Sequence, residues 1–377
     1  MKLLHTADWH VGRTIRGRSR DEEHRQVLTE IADIAGDQNV DLIIVAGDVF
    51  DTAAPAAAAE EIVYKALLEM AEVAPVVIVG GNHDNPARLR AVAPLLRLGR
   101  VIVGSQVVRP AEGGIVTIRG LPVRMALVPF IGKRGIVRVE QILSLDAAEL
   151  SGAFAERVKR IIETLCEGMA TDFVNILVGH LMVLGGRAGG GERTAHLFDY
   201  AIPALSFPGH LSYVALGHLH RAQRVPAPAP IWYSGSPLQL DFGEEQDVKS
   251  VMVAEVEPGL PAVVEAKPLT SGKRLRTLRG TLAEVTAQAG QVGDDFLRVE
   301  LDEKARTGLA DDVLELFPGA VEVRLAARDA SHSSQPAPRR LGRDPSELFV
   351  EYLSSRTVDD PDLVSLFREL VAEAHET

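Results

Sequence analysis

The sequence predicts an α/β fold with a largely parallel core sheet and a second sheet further along the chain. Two observations carry this prediction. Over the first hundred residues, short apolar runs alternate with amphipathic stretches, which is typical of βαβ units. Beyond residue 115 several more β-rich runs follow, and these predict the second sheet.

The predicted elements follow one another in a regular order. Strands at residues 3–6, 42–46 and 76–79 alternate with amphipathic helices over residues 21–36, 56–72 and 87–98. Further strands are predicted at residues 115–119, 123–129, 174–178, 213–216, 231–233 and 248–256, with a long helix over 138–168. Glycine-rich residues 185–191 predict a mobile loop, and proline-rich residues 224–231 predict an extended loop between strands.

By pattern the chain falls into three parts. Residues 1–269 hold the two predicted sheets. Residues 270–335 predict a small α+β domain, in which the helix-like LAEVTAQA is flanked by the β-like RLRTLRG, FLRVEL and AVEVRLA. Residues 336–377 contain the end of the polar stretch SHSSQPAPRR and a C-terminal tail with two predicted helices.

The two tail helices carry clear start signals. Each begins at an Asp-Pro pair, at residues 344–345 and 360–361, because Asp caps a helix and Pro suits its first position. Each has an apolar stripe at helical spacing. The stripe of the first helix is Leu348, Phe349, Tyr352 and Leu353, and that of the second includes Leu363, Leu366 and Phe367. Such a stripe either folds back on its own chain or docks on a partner protein, and the sequence leaves both readings open.

Composition excludes several classes of protein. With 377 residues, 46% of them hydrophobic, the chain is long enough for roughly two or three folded domains. We expect a cytoplasmic protein that does not enter a membrane, because no run of about eighteen apolar residues occurs and polar residues interrupt the place of a secretory signal. The single cysteine, Cys166, excludes a disulfide framework and a multi-thiolate zinc site.

The net charge of −12 argues against binding nucleic acid through the overall field of the protein. The excess is uneven, since residues 341–377 carry nine acidic and three basic side chains and account for half of it. Acidic groups that bind a metal also have their charge cancelled by it. The acidity therefore lowers the expectation of a DNA-binding function without removing it.

Five short motifs rich in His, Asp and Asn follow predicted strands. They are Asp8-Trp9-His10, Gly47-Asp48-Val49-Phe50-Asp51, Gly81-Asn82-His83-Asp84, Gly179-His180 and Gly217-His218-Leu219-His220. Any one of them alone is more often a capped turn or a buried core histidine than a metal site. Five together predict a shared site, because ligand sites of open α/β sheets form at the carboxyl ends of the strands.

These motifs offer carboxylate and amide oxygens and imidazole nitrogens, with no thiolate. Such a set suits Mn²⁺, Fe²⁺ or Zn²⁺ better than Ca²⁺, and it is too large for one ion. Two ions about 3.5–4 Å apart can hold both the attacking and the leaving oxygen of a phosphoryl transfer. We expect Asp48 to bridge them, because Gly47 before it leaves room.

The five motifs, in this order, resemble the DxH, GDxxD, GNHD, GH and GHxH motifs of the calcineurin-like metallophosphoesterase superfamily. The stretches LLHTADWHVG, LIIVAGDVFDT, YVALGHLHRAQ and SGSPLQLDFGE are similar to a DNA-repair nuclease branch of that superfamily. The likeness extends over essentially the whole chain and is strongest to about residue 250. It implies a two-sheet β core flanked by helices, a small α+β capping domain at 270–335, and C-terminal helices that bind a partner ATPase.

The resemblance also implies roles for single residues. One metal would be held by Asp8, His10, Asp48 and His220, and the other by Asp48, Asn82, His180 and His218. His83 would be the catalytic histidine that is not a ligand. Asp51 would orient it through a hydrogen bond from imidazole to carboxylate.

The activity implied is that of a Mn²⁺-dependent DNA nuclease, a double-strand 3′ to 5′ exonuclease and a single-strand or hairpin endonuclease. Its partner would be an SMC-like ATPase. This chain has no GxxxxGK[ST] motif, the phosphate-binding loop of many ATPases, which agrees with ATP being bound by the partner. The resemblance implies a homodimer through helices within residues 56–98, where five leucines form the candidate exposed set, although by sequence alone such leucines are more often core. They are Leu67, Leu68, Leu95, Leu96 and Leu98.

Four arginines, Arg13, Arg16, Arg18 and Arg20, follow His10 closely. On their own they fit an ordinary solvated loop as well as a phosphate contact, and the resemblance favours contact with DNA.

Two other functions remain open. A phosphodiesterase of small molecules would use the same motifs, whereas protein phosphatases of the superfamily carry DRG and GNHE where this chain has FDTAAP and GNHD. A catalytically inactive scaffold would keep the fold and lose ligands, and here every ligand position is filled.

Overall fold

The first of two six-stranded sheets combines a parallel set of strands with an antiparallel pair. Its parallel strands are β1 (Lys2–Thr6), β4 (Leu42–Val45), β5 (Val76–Val79) and β6 (Val101–Gly104), and its antiparallel pair is β13 (Ser250–Glu255) and β14 (Val263–Pro268). They lie in the order β14-β13-β1-β4-β5-β6.

The computed structural model describes residues 1–132, 135–136, 139, 154–169, 171–190, 200–326, 349–350, 353 and 363–367. It divides into two compact units, Met1–Ala326 and Ala327–Thr377.

The second sheet is formed by strands that follow the first four along the chain. They are β7 (Ile115–Thr117), β8 (Val123–Val128), β9 (Val174–His180), β10 (Tyr213–Gly217), β11 (Gln223–Val225) and β12 (Ile231–Tyr233), in the order β11-β12-β10-β9-β8-β7. The central strands β8, β9, β10 and β12 are parallel, and the two edge strands are antiparallel. The second sheet predicted from the sequence is therefore confirmed, except that the predicted strand at residues 248–256 is β13 and belongs to the first sheet.

The two sheets pack face to face. Their shared core holds Leu3, Ile44 and Val77 from the first sheet and Ile176 and Val178 from the second, all fully buried. Strands buried on both faces need continuous apolar runs, which explains why LIIV and VVIV show no alternation. This packing brings the ends of both sets of parallel strands to one edge of the molecule.

Helices cover the outer faces of both sheets. They are α1 (Asp21–Asp37), α2 (Ala57–Val73) and α3 (Pro86–Leu98) on the first sheet and α4 (Phe154–Cys166) on the second. Helix α3 begins as its sequence indicates, because the Asn85 side chain accepts hydrogen bonds from the backbone amides of Ala87 and Arg88, and Pro86 fills the first helical position.

A separate sheet of three parallel strands follows, formed by β15 (Leu275–Gly280), β16 (Phe296–Leu301) and β17 (Ala320–Leu325). It packs with α5 (Leu282–Thr286) and α6 (Leu309–Leu316) around a core of its own. A hairpin of β2 (Thr14–Ile15) and β3 (Arg18–Ser19) meets this sheet, where the Arg16 guanidinium donates to the Glu322 carboxylate at 3.0 Å. Short 3₁₀ turns lie at Pro110–Glu112, Ala204–Ser206, Phe242–Glu244 and Ala289–Gln291.

Strands β2, β3, β6, β11 and β14 and helix α6 are absent from the sequence-based expectations, and β11 overlaps the loop predicted at 224–231. Strand β6 is short and ends in glycine, and β14 alternates charged with apolar residues on an outer edge, so neither gives a strong apolar signal. The predicted helix over 138–168 is helical at Phe154–Cys166, and residues 140–153 lie outside the described residues. Residues 327–348 also lie outside them. The domain boundaries at 270 and 336 remain predictions.

The expected exposure of five leucines is wrong for two of them. Leu67 and Leu96 are buried in the core under the first sheet, because they lie on the inner faces of α2 and α3. Leu68, Leu95 and Leu98 are exposed, the last two at 70% and 86%.

Only a few residues of the second unit are described. Within it, the rings of Phe349 and Phe367 stack with centroids 4.0 Å apart and an interplanar angle of 14°, and Leu353 is buried. The stripes predicted for the two tail helices thus contribute to one aromatic contact. Across the described part of the whole chain, none of the helices has the length and apolar character needed to span a bilayer.

The contrast between Leu67 and Leu95 gives a test of the core. Replacing Leu67 by Ala should lower the free energy of unfolding by about 2–5 kcal/mol, because it leaves a cavity under the first sheet. The matched Leu95→Ala change on an exposed helix position should alter it by less than about 0.5 kcal/mol. Urea unfolding followed by circular dichroism measures both, and equal losses would contradict the assigned packing.

Candidate metal centre

The five motifs converge at the edge where the parallel strands of both sheets end. The motif residues of the first sheet follow β1, β4 and β5, and those of the second sheet lie at or directly after the ends of β9 and β10. Side chains that are up to 212 residues apart in sequence, such as Asp8 and His220, therefore lie together. The convergence predicted from strand ends is what the fold produces.

Backbone hydrogen bonds join the loops after these strands. The Asp8 amide donates to the Gly47 carbonyl at 2.9 Å, and the His10 amide donates to the Asp48 carbonyl at 3.0 Å. The loop after β10 is tied to the same place, since the His218 amide donates to the Asp8 carboxylate at 2.9 Å. These loops are thus held in one framework before any ion is considered.

Four residues of the centre have a left-handed backbone. They are Asp8, His10, Asp48 and His218, with φ values of 54°, 47°, 52° and 101°. For residues other than glycine this region costs on the order of 1–3 kcal/mol each, and it persists only where the surroundings impose it. A concentration of such residues is typical of functional sites.

Two glycines let the strands approach His180. A Cβ atom on Gly47 would lie 2.4 Å from His180 Nδ1. One on Gly217 would lie 2.1 Å from the Ala46 carbonyl oxygen and 2.9 Å from the same His180 nitrogen. The room that the sequence assigned to Gly47 is therefore filled by the imidazole of His180.

The side chains form three overlapping groups whose potential ligand atoms lie within 4.8 Å of one another. These groups are Asp8, His10 and His220; Asp8, Asp48 and His180; and His10, Asp48 and His83. Asn82 extends the set, because its Oδ1 lies 2.9 Å from His180 Nε2 and 2.9 Å from His218 Nδ1. All seven predicted ligand residues and His83 thus lie in one cluster.

His10 indicates that this cluster suits a cation. Both of its ring nitrogens are buried, and neither makes a hydrogen bond to a residue in the described ranges. The nearest carboxylates are 3.6 Å away at Asp48 and 3.4 Å away at Asp51. Buried polar atoms are normally satisfied, and a divalent ion among these carboxylates and imidazoles would satisfy the His10 nitrogen that carries the lone pair.

Burial and neighbouring charges shift the pKa values of the side chains in the cluster. Burial raises the pKa of Asp8. Burial acts on Asp48 in the same direction, but the neighbouring imidazoles of His180 and His10 outweigh it and hold the pKa of Asp48 well below its usual range. Burial lowers the pKa of His10 to about 4, whereas for His180 the Asp48 carboxylate overcomes burial and raises the pKa to about 9.

Three histidines are oriented by oxygen atoms that accept a hydrogen bond from their Nδ1 atoms. His180 Nδ1 lies 2.8 Å from the Ala46 carbonyl oxygen, and His83 Nδ1 lies 2.7 Å from the Asp51 carbonyl oxygen. His220 Nδ1 lies 2.9 Å from the Glu244 carboxylate. Carbonyl and carboxylate oxygens only accept, so Nδ1 carries the proton and Nε2 carries the lone pair in the neutral ring.

The expected role of Asp51 needs a correction. Its backbone carbonyl, not its carboxylate, accepts the hydrogen bond from His83. The carboxylate instead lies 3.2 Å from the Arg13 guanidinium and 3.4 Å from His10 Nδ1. Although burial acts to raise it, the pKa of Asp51 is lowered by these two neighbours. Asp51 thus orients His83 through the main chain, which residue identity alone does not reveal.

Asp84 is a residue of the centre to which the sequence assigned no role. Its buried carboxylate accepts hydrogen bonds from the backbone amides of Gly81 at 2.8 Å and Phe50 at 3.1 Å, and so joins the loops after β4 and β5. Burial raises the pKa of Asp84 to about 6. The sequence feature that could have revealed this residue is its position as the last residue of the GNHD motif.

Glu244 is a second such residue. It is fully buried, and besides His220 it contacts Lys249, whose Nζ lies 2.7 Å from Glu244 Oε2. Burial acts to raise the pKa of Glu244, but His220 and Lys249 together lower it to about 2. The sequence feature that could have revealed this residue is its position at the end of SGSPLQLDFGE, one of the stretches that resemble the nuclease branch.

The four arginines after His10 differ in their surroundings. Arg20 is only 1% exposed, and its guanidinium is paired with Glu23 and donates to the Gln239 carbonyl, so the expected contact with DNA is wrong for this residue. Arg13 is paired with Asp51, and Arg16 with Glu322. Arg18 is exposed on the hairpin.

Comparisons with known proteins agree with this geometry. The family model described as calcineurin-like phosphoesterase matches residues 1–222. The chain is 31% identical to the SbcD component of the nuclease SbcCD from Bacillus subtilis, over 100% of this chain and 99% of that protein. It is 30% identical to the protein of the same name from Escherichia coli K12, over 78% of this chain and 74% of that one, and 34% identical to that of Rhodobacter capsulatus, over 65% and 64%.

The close approach of β10 to His180 can be tested without touching a ligand. The change Gly217→Ala should lower the affinity of the metal-free protein for Mn²⁺ at least about tenfold, because the new methyl group must displace His180 or the Ala46 carbonyl. Isothermal titration calorimetry measures this affinity. The control Gly36→Ala, in α1 with no atom within 4 Å of the new methyl group, should bind Mn²⁺ as the parent protein does. Parent-like affinity of Gly217→Ala would contradict the described contact.

Proposed function

The chain belongs to the calcineurin-like phosphoesterase family and, within it, to the SbcD nucleases, and from this premise we propose that it hydrolyses phosphodiester bonds in DNA at the cluster around Asp48. One observation carries the proposal. Carboxylate, amide and imidazole groups from five strand ends meet at a single site, which is buried at Asp8, His10 and Asp48 and exposed at Asn82, in a chain that resembles a nuclease over its whole length.

The site takes two divalent ions, with Mn²⁺ as the expected metal. Asp8, His10, Asp48 and His220 would hold one ion, and Asp48, Asn82, His180 and His218 the other. When bound, the ions supply Lewis acidity at the phosphate and favour the deprotonated form of the attacking water. Asp48 would serve both sets, since it lies in one group with Asp8 and His180 and in another with His10.

His83 is proposed to donate a proton to the oxygen that leaves the phosphate. It is half-buried at the margin of the cluster, and its backbone amide is fixed by Asp48 Oδ1 at 2.8 Å. The Asp51 carbonyl holds the proton on Nδ1, so the proton for the leaving oxygen would be carried on Nε2. Asp51 acts here as a positioning residue.

The proposed substrate is DNA, cut from double-stranded ends as a 3′ to 5′ exonuclease and in single strands or hairpins as an endonuclease. Arg13, Arg16 and Arg18 follow the ligand His10 and could meet the phosphate backbone. Arg16 would then exchange its partner Glu322 for a phosphate. Arg20 is left out of this set because it is buried.

The proposed partner is an SbcC-type ATPase, as in the SbcCD complex for which the relatives are named. The second unit, with its stacked Phe349 and Phe367, is the proposed docking segment. A homodimer is proposed through α2 and α3, where Leu68, Leu95 and Leu98 remain exposed. The proposed place of action is the cytoplasm, at the bacterial nucleoid.

Purified protein without a partner tests the activity. With Mn²⁺, 3′-labelled duplex DNA and a DNA hairpin should be cut, and EDTA should stop the reaction, because the phosphate chemistry depends on the ions. The Asp8→Ala variant should lose cleavage on gel electrophoresis, because it removes a carboxylate common to two groups of the cluster. Hydrolysis of a small aryl phosphodiester without any DNA cleavage would indicate a small-molecule phosphodiesterase instead.

The role of His83 has its own test. The His83→Ala variant should retain Mn²⁺ affinity and folding while its turnover falls about 10²–10⁴-fold, the usual effect of losing a general acid. Turnover is measured with saturating labelled DNA, and Mn²⁺ affinity by calorimetry. Unchanged turnover would rule out this role, and a loss of Mn²⁺ affinity would make His83 a ligand.

A further inference from the structure

A buried ion pair of Glu244 and Lys249 lies beside the candidate metal centre and contacts the Nδ1 atom of His220. Glu244 ends a short 3₁₀ turn, Phe242–Glu244, that is capped by the Asp241 side chain. Its carboxylate is fully buried and accepts from the Leu240 amide at 3.1 Å as well as contacting His220 and Lys249. The site chemistry described above assigns no step to this pair.

Lys249 holds the carboxylate in place. Its ammonium donates to Glu244 Oε2 at 2.7 Å, to the Ser236 hydroxyl at 2.9 Å and to the His220 carbonyl oxygen at 3.0 Å. These three bonds use all three protons of the ammonium group. The Glu244 carboxylate is therefore fixed from one side by a buried cation and from the other by His220.

Stability alone does not account for this arrangement. Moving two charged groups out of water costs about as much as their attraction returns, and apolar residues of similar size often stabilise a fold equally well. The pair does something that apolar residues cannot do. An ionised carboxylate only accepts, so the imidazole of His220 must place its proton on Nδ1.

We propose that Glu244, held by Lys249, is a positioning residue that fixes the ring of His220 and directs its Nε2 lone pair toward the metal centre. This inference rests on the proposed metal-dependent function and adds a determinant of metal affinity to it. Residues that orient a metal-binding histidine in this way typically change metal affinity about 10–100-fold when replaced.

Calorimetric titration of the metal-free protein with Mn²⁺ tests the inference. The Glu244→Gln variant should bind Mn²⁺ about 10–100-fold more weakly, because an amide can accept from one His220 tautomer and donate to the other. Glu245→Gln is the matched control. It removes the same charge one residue away, from a carboxylate that accepts from the Thr277 amide at 2.9 Å, and it should bind Mn²⁺ within about twofold of the parent protein.

A spectroscopic measurement separates positioning from folding. In metal-free protein with ¹⁵N-labelled histidine, at one fixed pH, the His220 ring should carry its proton on Nδ1 in the parent and in Glu245→Gln. In Glu244→Gln it should show a mixture of tautomers. Parent-like affinity together with an unchanged His220 tautomer in Glu244→Gln would overturn the proposal.

The double variant Glu244→Gln/Lys249→Met distinguishes a loss of Mn²⁺ affinity from a loss of folding stability. Lys249→Met alone leaves a buried carboxylate without its cation and should lower the melting temperature, and the added Glu244→Gln change should restore much of it. Mn²⁺ affinity should stay low in the double variant, and recovery of affinity with stability would show a purely structural role. Because affinity and tautomer are measured without DNA, a failure of the nuclease proposal would be seen separately as Mn²⁺ binding without cleavage.

Discussion

The structure depends on one constraint, which is the concentration of buried carboxylates and imidazoles where two sets of parallel strands end. Asp8 and Asp48 are withdrawn from water beside His10, His180 and His220. Their pKa values move in opposite directions, because burial prevails at Asp8 and the neighbouring imidazoles prevail at Asp48. Both nitrogens of His10 are also left without a hydrogen bond to a described residue. Such a cluster is unfavourable by itself and becomes favourable with divalent ions, which is the chemistry that the family uses.

The surrounding fold makes this cluster possible by fixing the backbone. Left-handed residues, close-approach glycines and backbone bonds between neighbouring loops hold the ligand atoms in place before any ion binds. Asp84 adds a further link, since its one carboxylate joins the loops after β4 and β5. This preorganisation means that the free energy of ordering the site is spent during folding and not during binding of metal or substrate.

The segment from Ser236 to Lys249 connects the centre to the three-stranded sheet. It supplies Glu244 and Lys249 to His220, and it also holds strand β15, because Gln239 Oε1 accepts from the Leu275 amide at 2.7 Å and Glu245 accepts from the Thr277 amide. The same short stretch therefore contacts both His220 and the small sheet beside it.

Local patterns in the chain were enough to establish most of the order of strands and helices and the identity of the eight residues that meet at the centre. They were enough because a strand end is a local feature, and apolar runs followed by His, Asp or Asn are visible without knowing what lies opposite. The direction of a side chain and the burial of a charge depend instead on residues far away in the chain. Arg20 is buried where its guanidinium donates to the Gln239 carbonyl, and Leu67 and Leu96 are core because their helices turn those faces inward. The action of Asp51 through its carbonyl and the contact of Glu244 with His220 emerged only in the folded chain, since packing between distant segments creates both.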